Sequence, residues 1–183
     1  MQPGKIIKIF TSKKGNTVTI RYPKAEDLDD VLQFANAIVD EDIYVDVLSE
    51  PVTREVEEKW LIDTLEKIEQ GKKIQLVAEI NSRYAGNCEI RIRDKRQSHV
   101  GEIGIALAKE YREEGIGREL LSALIEEGKK IGLKLLILNC FENNDRALHL
   151  YEKLGFTRSG LVPGVYAYKG SYVGEVTFYL PIK

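Results

Sequence analysis

Apolar residues along the chain follow two periods, and the changes between them mark out the elements. KIIKIFT (5–11) and TVTIRYP (17–23) are strand-like and flank SKKGN, a turn-forming stretch, so a hairpin is predicted over 5–23. After an acidic start, Leu28, Val31, Leu32, Ala35, Ile38 and Val39 recur at helical spacing, which predicts a helix from about Ala25 to Asp40. IYVDVLSEPV breaks the pattern. Thr53 offers a cap for a second helix reaching about Gln70, where Gly71 stops it. IQLVAEI (74–80), a turn at NSRYAG, NCEIRIR (87–93) and HVGEIGIAL (99–107) then read as strands. The loop AKEYREEGIG leads into RELLSALIEEGKKIG, an amphipathic helix ending near Gly132. LKLLILNCF (133–141) has the unbroken apolar run of a buried strand. A short helix from about Asp145 to Leu154 is closed by Gly155. Two aromatic-rich strands follow, from about Phe156 to Tyr168 and from Tyr172 to Leu180, with KGS as the turn.

The order is hairpin, two helices, three strands, helix, strand, helix, two strands. Strands outnumber crossover helices, so the sheet must be mixed rather than doubly wound and parallel. There are no internal repeats, low-complexity tracts or linkers, and residues 1–183 read as one domain.

Composition narrows the function classes. At 43% hydrophobic the chain can bury a sizeable core. A net charge of −2 gives no general attraction to nucleic acid or anionic membrane. No run of 18 apolar residues spans a bilayer, and the lysines in MQPGKIIKIFTSKKGN argue against a secretory signal. Cys88 and Cys140 sit in apolar strand contexts and read as free buried thiols. There is no CxxC, and His99 and His149 are the only histidines, so no metal site is expected. The default location is the cytoplasm.

YREEGIGRELL (111–121) joins the 99–107 strand to a helix. Free N–H groups at a helix start, together with its dipole, favour an anion. Gly115 and Gly117 let backbone approach a ligand closely, and Arg112 and Arg118 could add charge-assisted contacts to phosphate. Alone this signal is weak. No Gly-Lys-Ser/Thr follows, so it is not a nucleotide-hydrolase phosphate loop. The glycine spacing also differs from the dinucleotide fingerprint.

A second block, NNDRALHLYEKLGF, lies about 27 residues beyond the loop. Together the two blocks resemble the GNAT superfamily of N-acetyltransferases. The family's acyl-CoA loop, R/Q-x-x-G-x-G/A, is matched by Arg112, Gly115 and Gly117. Its block N-x-x-A-x-x-L-Y-x-x-x-G-F is matched by Asn144, Ala147, Leu150, Tyr151, Gly155 and Phe156. The motifs cover about residues 99–156, and the predicted element order carries the likeness over nearly the whole chain. The resemblance implies an α/β (α+β) fold. Its mixed, mostly antiparallel sheet would have about six or seven strands flanked by about four helices, with 5–23 as an extra N-terminal hairpin.

It also implies acetyl-CoA as co-substrate. The pantetheine arm would pair with the backbone of Ile105, Ala106 and Leu107, where two central strands splay apart. The pyrophosphate would rest on the amides of Arg112, Glu113, Glu114, Gly115, Ile116, Gly117 and Arg118. Asn144 would orient the cofactor, and Tyr151 would approach the CoA sulfur. Many family members carry neutral or basic residues where Glu113 and Glu114 stand. Both glutamates are expected to face solvent, leaving the backbone N–H groups to the anion.

The implied reaction is attack of an amine on the acetyl thioester. A lysine-type amine has a pKa of about 10.4, so something must take its proton. Backbone near Leu107 can donate to the tetrahedral intermediate. Tyr151 is the candidate acid for the leaving thiolate, with core packing as the alternative. Glu102 is the candidate base, since phosphinothricin-type members carry a glutamate at this place. Alternation puts Glu102, Gly104 and Ala106 on one face. The alternative for Glu102 is a structural pair with Arg91 or Arg93. His149 and His99 read as surface residues and Trp60 as packing, while Tyr166 or Tyr168 could wall the acceptor site.

The acceptor is expected between the first two helices and the last hairpin. Val39 to Thr53 holds Asp40, Glu41, Asp42, Asp46 and Glu50 and no Lys or Arg. An acidic rim there would suit a cationic acceptor, such as a protein N-terminus, a lysine or a polyamine; a solvated acidic loop is the other reading. Two rivals to the enzyme remain open, a non-catalytic acyl-CoA sensor and an ATP-binding module. The presence of both Glu102 and Tyr151 favours the enzyme. Edge strands and the hairpin leave room for a homodimer.

Overall fold

A computed structural model of the protein describes residues 2–41 and 50–183. The chain runs through β1 (Ile6–Thr11), β2 (Thr17–Arg21), α1 (Leu28–Glu41), α2 (Arg54–Glu69), β3 (Lys73–Ile80), β4 (Arg83–Ile92) and β5 (Val100–Leu107). It continues through α3 (Ile116–Lys130), β6 (Leu135–Phe141), α4 (Asp145–Lys153), β7 (Thr157–Tyr168) and β8 (Ser171–Pro181). The fold is mixed α/β with one sheet in the order β1-β2-β3-β4-β5-β6-β8-β7. Among the described residues only β5 and β6 are parallel neighbours.

Among the described residues the sheet has eight strands, the two of the N-terminal hairpin included. The hairpin is no appendage, because β2 pairs antiparallel with β3 from Val18↔Ile80 to Arg21↔Val77 and carries β1 out to the edge. The β3–β4 turn is also tighter than NSRYAG suggested. Asn81 and Ser82 adopt φ of 50° and 61°, so two left-handed residues reverse the chain and β4 already begins at Arg83.

Two apolar layers hold the sheet. On one face Leu120, Leu121 and Leu124 of α3 pack with Leu136, Leu138, Tyr151 and Phe178. On the other, Val31, Phe34 and Ile38 of α1 meet Val77 and Tyr84, with Trp60 and Ala106 packed alongside. Each fully buried Leu or Phe contributes about 1.5–3 kcal/mol, so both layers matter to stability. The hairpin is tied to α3 as well. The Tyr22 hydroxyl donates to Glu127 at 2.7 Å, and Lys8 pairs with Glu119 at 2.5 Å. Cys88 and Cys140 are free and buried. Burial pushes the Cys140 thiol up to about 12, and Cys88 well above its ordinary value, so neither is a thiolate nucleophile near neutral pH.

Candidate functional site

The site begins with a break in the sheet. β5 and β6 pair only from Val100↔Leu135 to Glu102↔Ile137. Beyond that point β5 stays on β4 as far as Gly86↔Leu107, while β6 stays on β8 as far as Phe141↔Glu175. The two strands therefore part and leave a gap. Arg93 N–H donates to Val100 O, and Ala108 N–H donates to Ala85 O. By alternation, the even-numbered residues of β5 turn their backbone groups to β4, and Ile105 and Leu107 turn theirs to the gap. Ala106 lends only its small side chain, which packs on the α1 side.

At the mouth of the gap the chain turns into α3. Glu113 takes a φ of 66° and Gly115 a φ of 86°, and Gly115 caps the helix. That geometry leaves the N–H groups of the first turn, around Ile116, Gly117 and Arg118, without intrahelical partners. Ile116 is buried in the core. A Cβ on Gly117 would stand 3.2 Å from Leu107 Cδ1 and 3.5 Å from Leu150 Cδ2. Gly117 is thus needed for close packing of α3 on β5 and α4.

Two expectations for this loop change. The Arg112 side chain is taken up by protein groups. Its Nε and Nη2 donate to Leu107 O at 2.9 and 2.8 Å, and its Nη1 and Nη2 pair with Glu41 at 2.5 and 2.7 Å. It caps the end of β5, whose last carbonyl would otherwise lack a partner. Glu113 does face outward, where it pairs with Arg146 of α4 at 2.8 Å. Glu114 does not. Its side chain is 2% exposed and accepts from Ser12 Oγ at 2.7 Å and Asn16 Nδ2 at 3.0 Å. The left-handed turn at Glu113 aims the next side chain back at the hairpin. The Ser12 hydrogen bond, then those of Asn16 and Lys14, hold the Glu114 carboxyl below its ordinary range. Arg118 is exposed and makes no ion pair with a described residue.

α4 lies on the same face as α3. Asn144 caps it, its Oδ1 accepting from Ala147 N–H at 3.2 Å. Tyr151 is only 7% exposed, with its ring 6.0 Å from Phe156 and 5.8 Å from Phe178, centroid to centroid. Its hydroxyl makes no hydrogen bond with a described residue. Burial, and secondarily the nearness of Cys140, pushes its pKa up, so the phenol holds its proton.

The opposite face of the gap is lined by side chains. Leu136, Leu138 and Cys140 belong to the α3–α4 core, so Ile137, Asn139 and Phe141 turn the other way, as do Glu102, Gly104 and Ala106. Glu102 is half-buried, with Arg91 at 3.7 Å and Arg93 at 3.5 Å. The pairing anticipated as the alternative to a base is therefore present. Phe141 stacks on Tyr166 with centroids 3.8 Å apart and meets Tyr168 edge-on at 5.7 Å. The Tyr166 hydroxyl donates to Glu175. Tyr166 and Tyr168 therefore pack against Phe141 on this face.

Asn139 was not singled out by sequence reasoning. It is exposed in a strand whose neighbours are mostly covered, and it pairs with Thr177 across β6–β8. The signal was there, a lone polar residue in the apolar run LKLLILNCF. His99 and His149 are exposed, and Trp60 lies under Lys73 at 5.0 Å. Of the acidic segment, Glu41 is engaged by Arg112 and Glu50 is exposed, whereas Asp42 and Asp46 and the side chain of Asp40 fall outside the described residues.

Residues 41–156 match the acetyltransferase (GNAT) family. An N-acetyltransferase of Schizosaccharomyces pombe, aca1, is 31% identical over 102 residues, which cover 55% of this chain and 44% of that protein. The chain thus matches less than half of that relative's length. A GNAT-family acetyltransferase structure from Streptococcus pneumoniae superposes with a TM-score of 0.80 at 26% identity, covering 90% of this chain and 99% of that one. The structure of yncA from Salmonella typhimurium, solved with its cofactor acetyl-CoA, has a TM-score of 0.78 at 22% identity. It covers 91% of this chain and 94% of its own.

Proposed function

The chain belongs to the acetyltransferase (GNAT) family, and from that premise we propose that it is an acetyl-CoA-dependent N-acetyltransferase acting on a primary amine. The observation that carries the reading is the gap, where β5–β6 pairing stops after Glu102↔Ile137, leaving the backbone groups of Ile105 and the N–H of Leu107 without a strand partner on that side, beside the start of α3. An extended acyl-pantetheine chain fits such an edge as a strand would. The free N–H groups at the start of α3 suit its pyrophosphate.

In this reading the amine nitrogen attacks the thioester carbon from the Glu102–Asn139 face. The C–N bond forms as the carbonyl electrons move to oxygen, where Leu107 N–H donates. An ammonium arriving from solvent first gives one proton to bulk water, and once the C–N bond has formed the nitrogen gives a second through water to Glu102. Collapse breaks the C–S bond, the leaving sulfur takes the Tyr151 proton, and the proton taken up by Glu102 is released to solvent as the phenolate is reprotonated from it, which restores both groups. Burial keeps that phenol protonated at the moment it is needed. Tyr166, Tyr168 and Phe141 would wall the acceptor, with Glu175 adding negative charge that favours an ammonium approaching from solvent. The reading takes residues 1–183 as one catalytic domain working in the cytoplasm, with no nucleic acid or membrane partner.

The test is release of free thiol from acetyl-CoA across peptides, polyamines, amino acids and aminoglycosides. Turnover that requires an amine is the expected result. Acetyl-CoA binding without amine-dependent thiol release from any of these would favour a sensor instead.

A further inference from the structure

A carboxylate buried beside amides that await an anion needs a local explanation. Glu114 is 2% exposed and lies in the loop that leads into α3. Its partners all come from the turn between β1 and β2, about a hundred residues earlier in the chain. Ser12 Oγ donates at 2.7 Å, Asn16 Nδ2 at 3.0 Å, and Lys14 Nζ lies at 3.2 Å. Lys13 N–H also donates to Glu114 O at 3.0 Å. The turn is closed on itself, with Ser12 N–H to Asn16 O at 2.8 Å, Gly15 N–H to Ser12 O at 2.9 Å and Asn16 N–H to Ser12 Oγ at 3.2 Å. A rigid turn is therefore fastened to the loop through both the side chain and the backbone of one residue.

The fastening carries Lys13 over the loop. Lys13 Cε and Cγ lie 3.8 and 3.9 Å from where a Cβ on Gly115 would stand. Its ammonium has no ion pair with a described residue. The cation that the motif suggested for this place, Arg112, is committed to Leu107 O and Glu41.

We propose that the β1–β2 turn is part of the cofactor site, with Glu114 as the positioning residue that locks loop to turn and Lys13 as the residue that meets the cofactor's phosphates. This rests on the acetyl-CoA reading above. With Arg112 taken by a strand end, Arg118 is the cation the loop itself leaves exposed, and the hairpin adds a second one in Lys13 beside Gly115.

Calorimetry with acetyl-CoA on the full chain, with steady-state kinetics and thermal melts alongside, separates the outcomes. Lys13→Met should weaken acetyl-CoA binding about threefold, in the range of an exposed charge contact, and flatten its salt dependence with an unchanged melt. Ser12→Ala and Glu114→Ala should raise the acetyl-CoA KM about tenfold, with kcat at saturation and the acceptor KM moving far less. Glu114→Gln should recover part of the loss, since an amide oxygen still accepts from Ser12. A wild-type chain that does not bind acetyl-CoA overturns the functional reading itself. A wild type that binds, with Lys13→Met and Ser12→Ala indistinguishable from it, overturns this inference alone. A lowered melt with an unchanged acetyl-CoA KM would make Glu114 a structural contact only, and should Glu114→Ala not fold, Lys13→Met and Ser12→Ala decide.

Discussion

The two banks of the gap between β5 and β6 are built from different materials. The β5 bank is mainly backbone: the groups of Ile105 and the N–H of Leu107, whose carbonyl Arg112 caps, then the amides entering α3, with glycines where side chains would obstruct. The β6–β8 bank is side chains: Asn139 beside Thr177, Phe141 stacked on Tyr166, and Tyr166 bonded to Glu175. A backbone surface accepts any ligand with the same main features, which suits a cofactor of fixed structure. A side-chain surface can change residue by residue without moving a strand, which suits acceptor choice.

The largest expected effect lies at Tyr151 of α4. Tyr151→Phe keeps the ring packed between Phe156 and Phe178 and removes only the donor. If Tyr151 protonates the leaving sulfur, kcat falls about 10²–10⁴-fold while acetyl-CoA still binds. A near-normal kcat in stopped-flow or thiol-release assays would make Tyr151 a packing residue. Next comes Glu102→Gln. As the base it should cost about 10² in kcat/KM for the amine, with the loss shrinking as pH rises and more amine is neutral. A loss of stability without that pH dependence would leave only its pairing with Arg91 and Arg93.

On the backbone bank, Gly117→Glu should weaken acetyl-CoA binding at least about tenfold, the equivalent of modest overpacking, because the new side chain must displace Leu107 and Leu150. Calorimetry on the folded variant with unchanged affinity would end the assignment of this loop to the cofactor. On the other bank, Asn139→Ala and Tyr166→Phe should each raise the acceptor KM about threefold to tenfold and leave the acetyl-CoA KM alone. Should both KM values shift together, the division between the banks fails.

The smallest effect is a pH dependence. The Glu114 carboxyl sits below its ordinary 4.5 because Ser12, Asn16 and Lys14 favour its charged form. Its contribution to stability is thus present above that value and lost as pH falls below it. Thermal melts should show a small drop in that acid window, absent in Glu114→Gln. Tyr22 and Tyr151 act at the other extreme. Burial raises both above their ordinary 10.0, so the stability they add holds below pH 10 and is lost above it.

Sequence alone determined the elements and the turn that leads into α3. Helical and alternating periods are local, so α1 to α4 and the strands could be read within a few residues of their ends. The glycine loop was also legible, because it is a short stretch whose backbone conformation demands particular residues, whereas Asn144, read as a residue that would orient the cofactor, is seen in the structure to cap α4. Tertiary structure decided where long side chains go. Arg112 looked like an anion ligand and became the cap of a strand end, because Leu107 O and Glu41 both lie within its reach. Glu113 and Glu114 are adjacent and alike in sequence, yet one faces solvent and the other is buried against Ser12 and Asn16. No period in the sequence separates them. The difference comes from one left-handed residue and from a hairpin a hundred residues away, and contacts of that range exist only once the sheet has brought β2 beside β3.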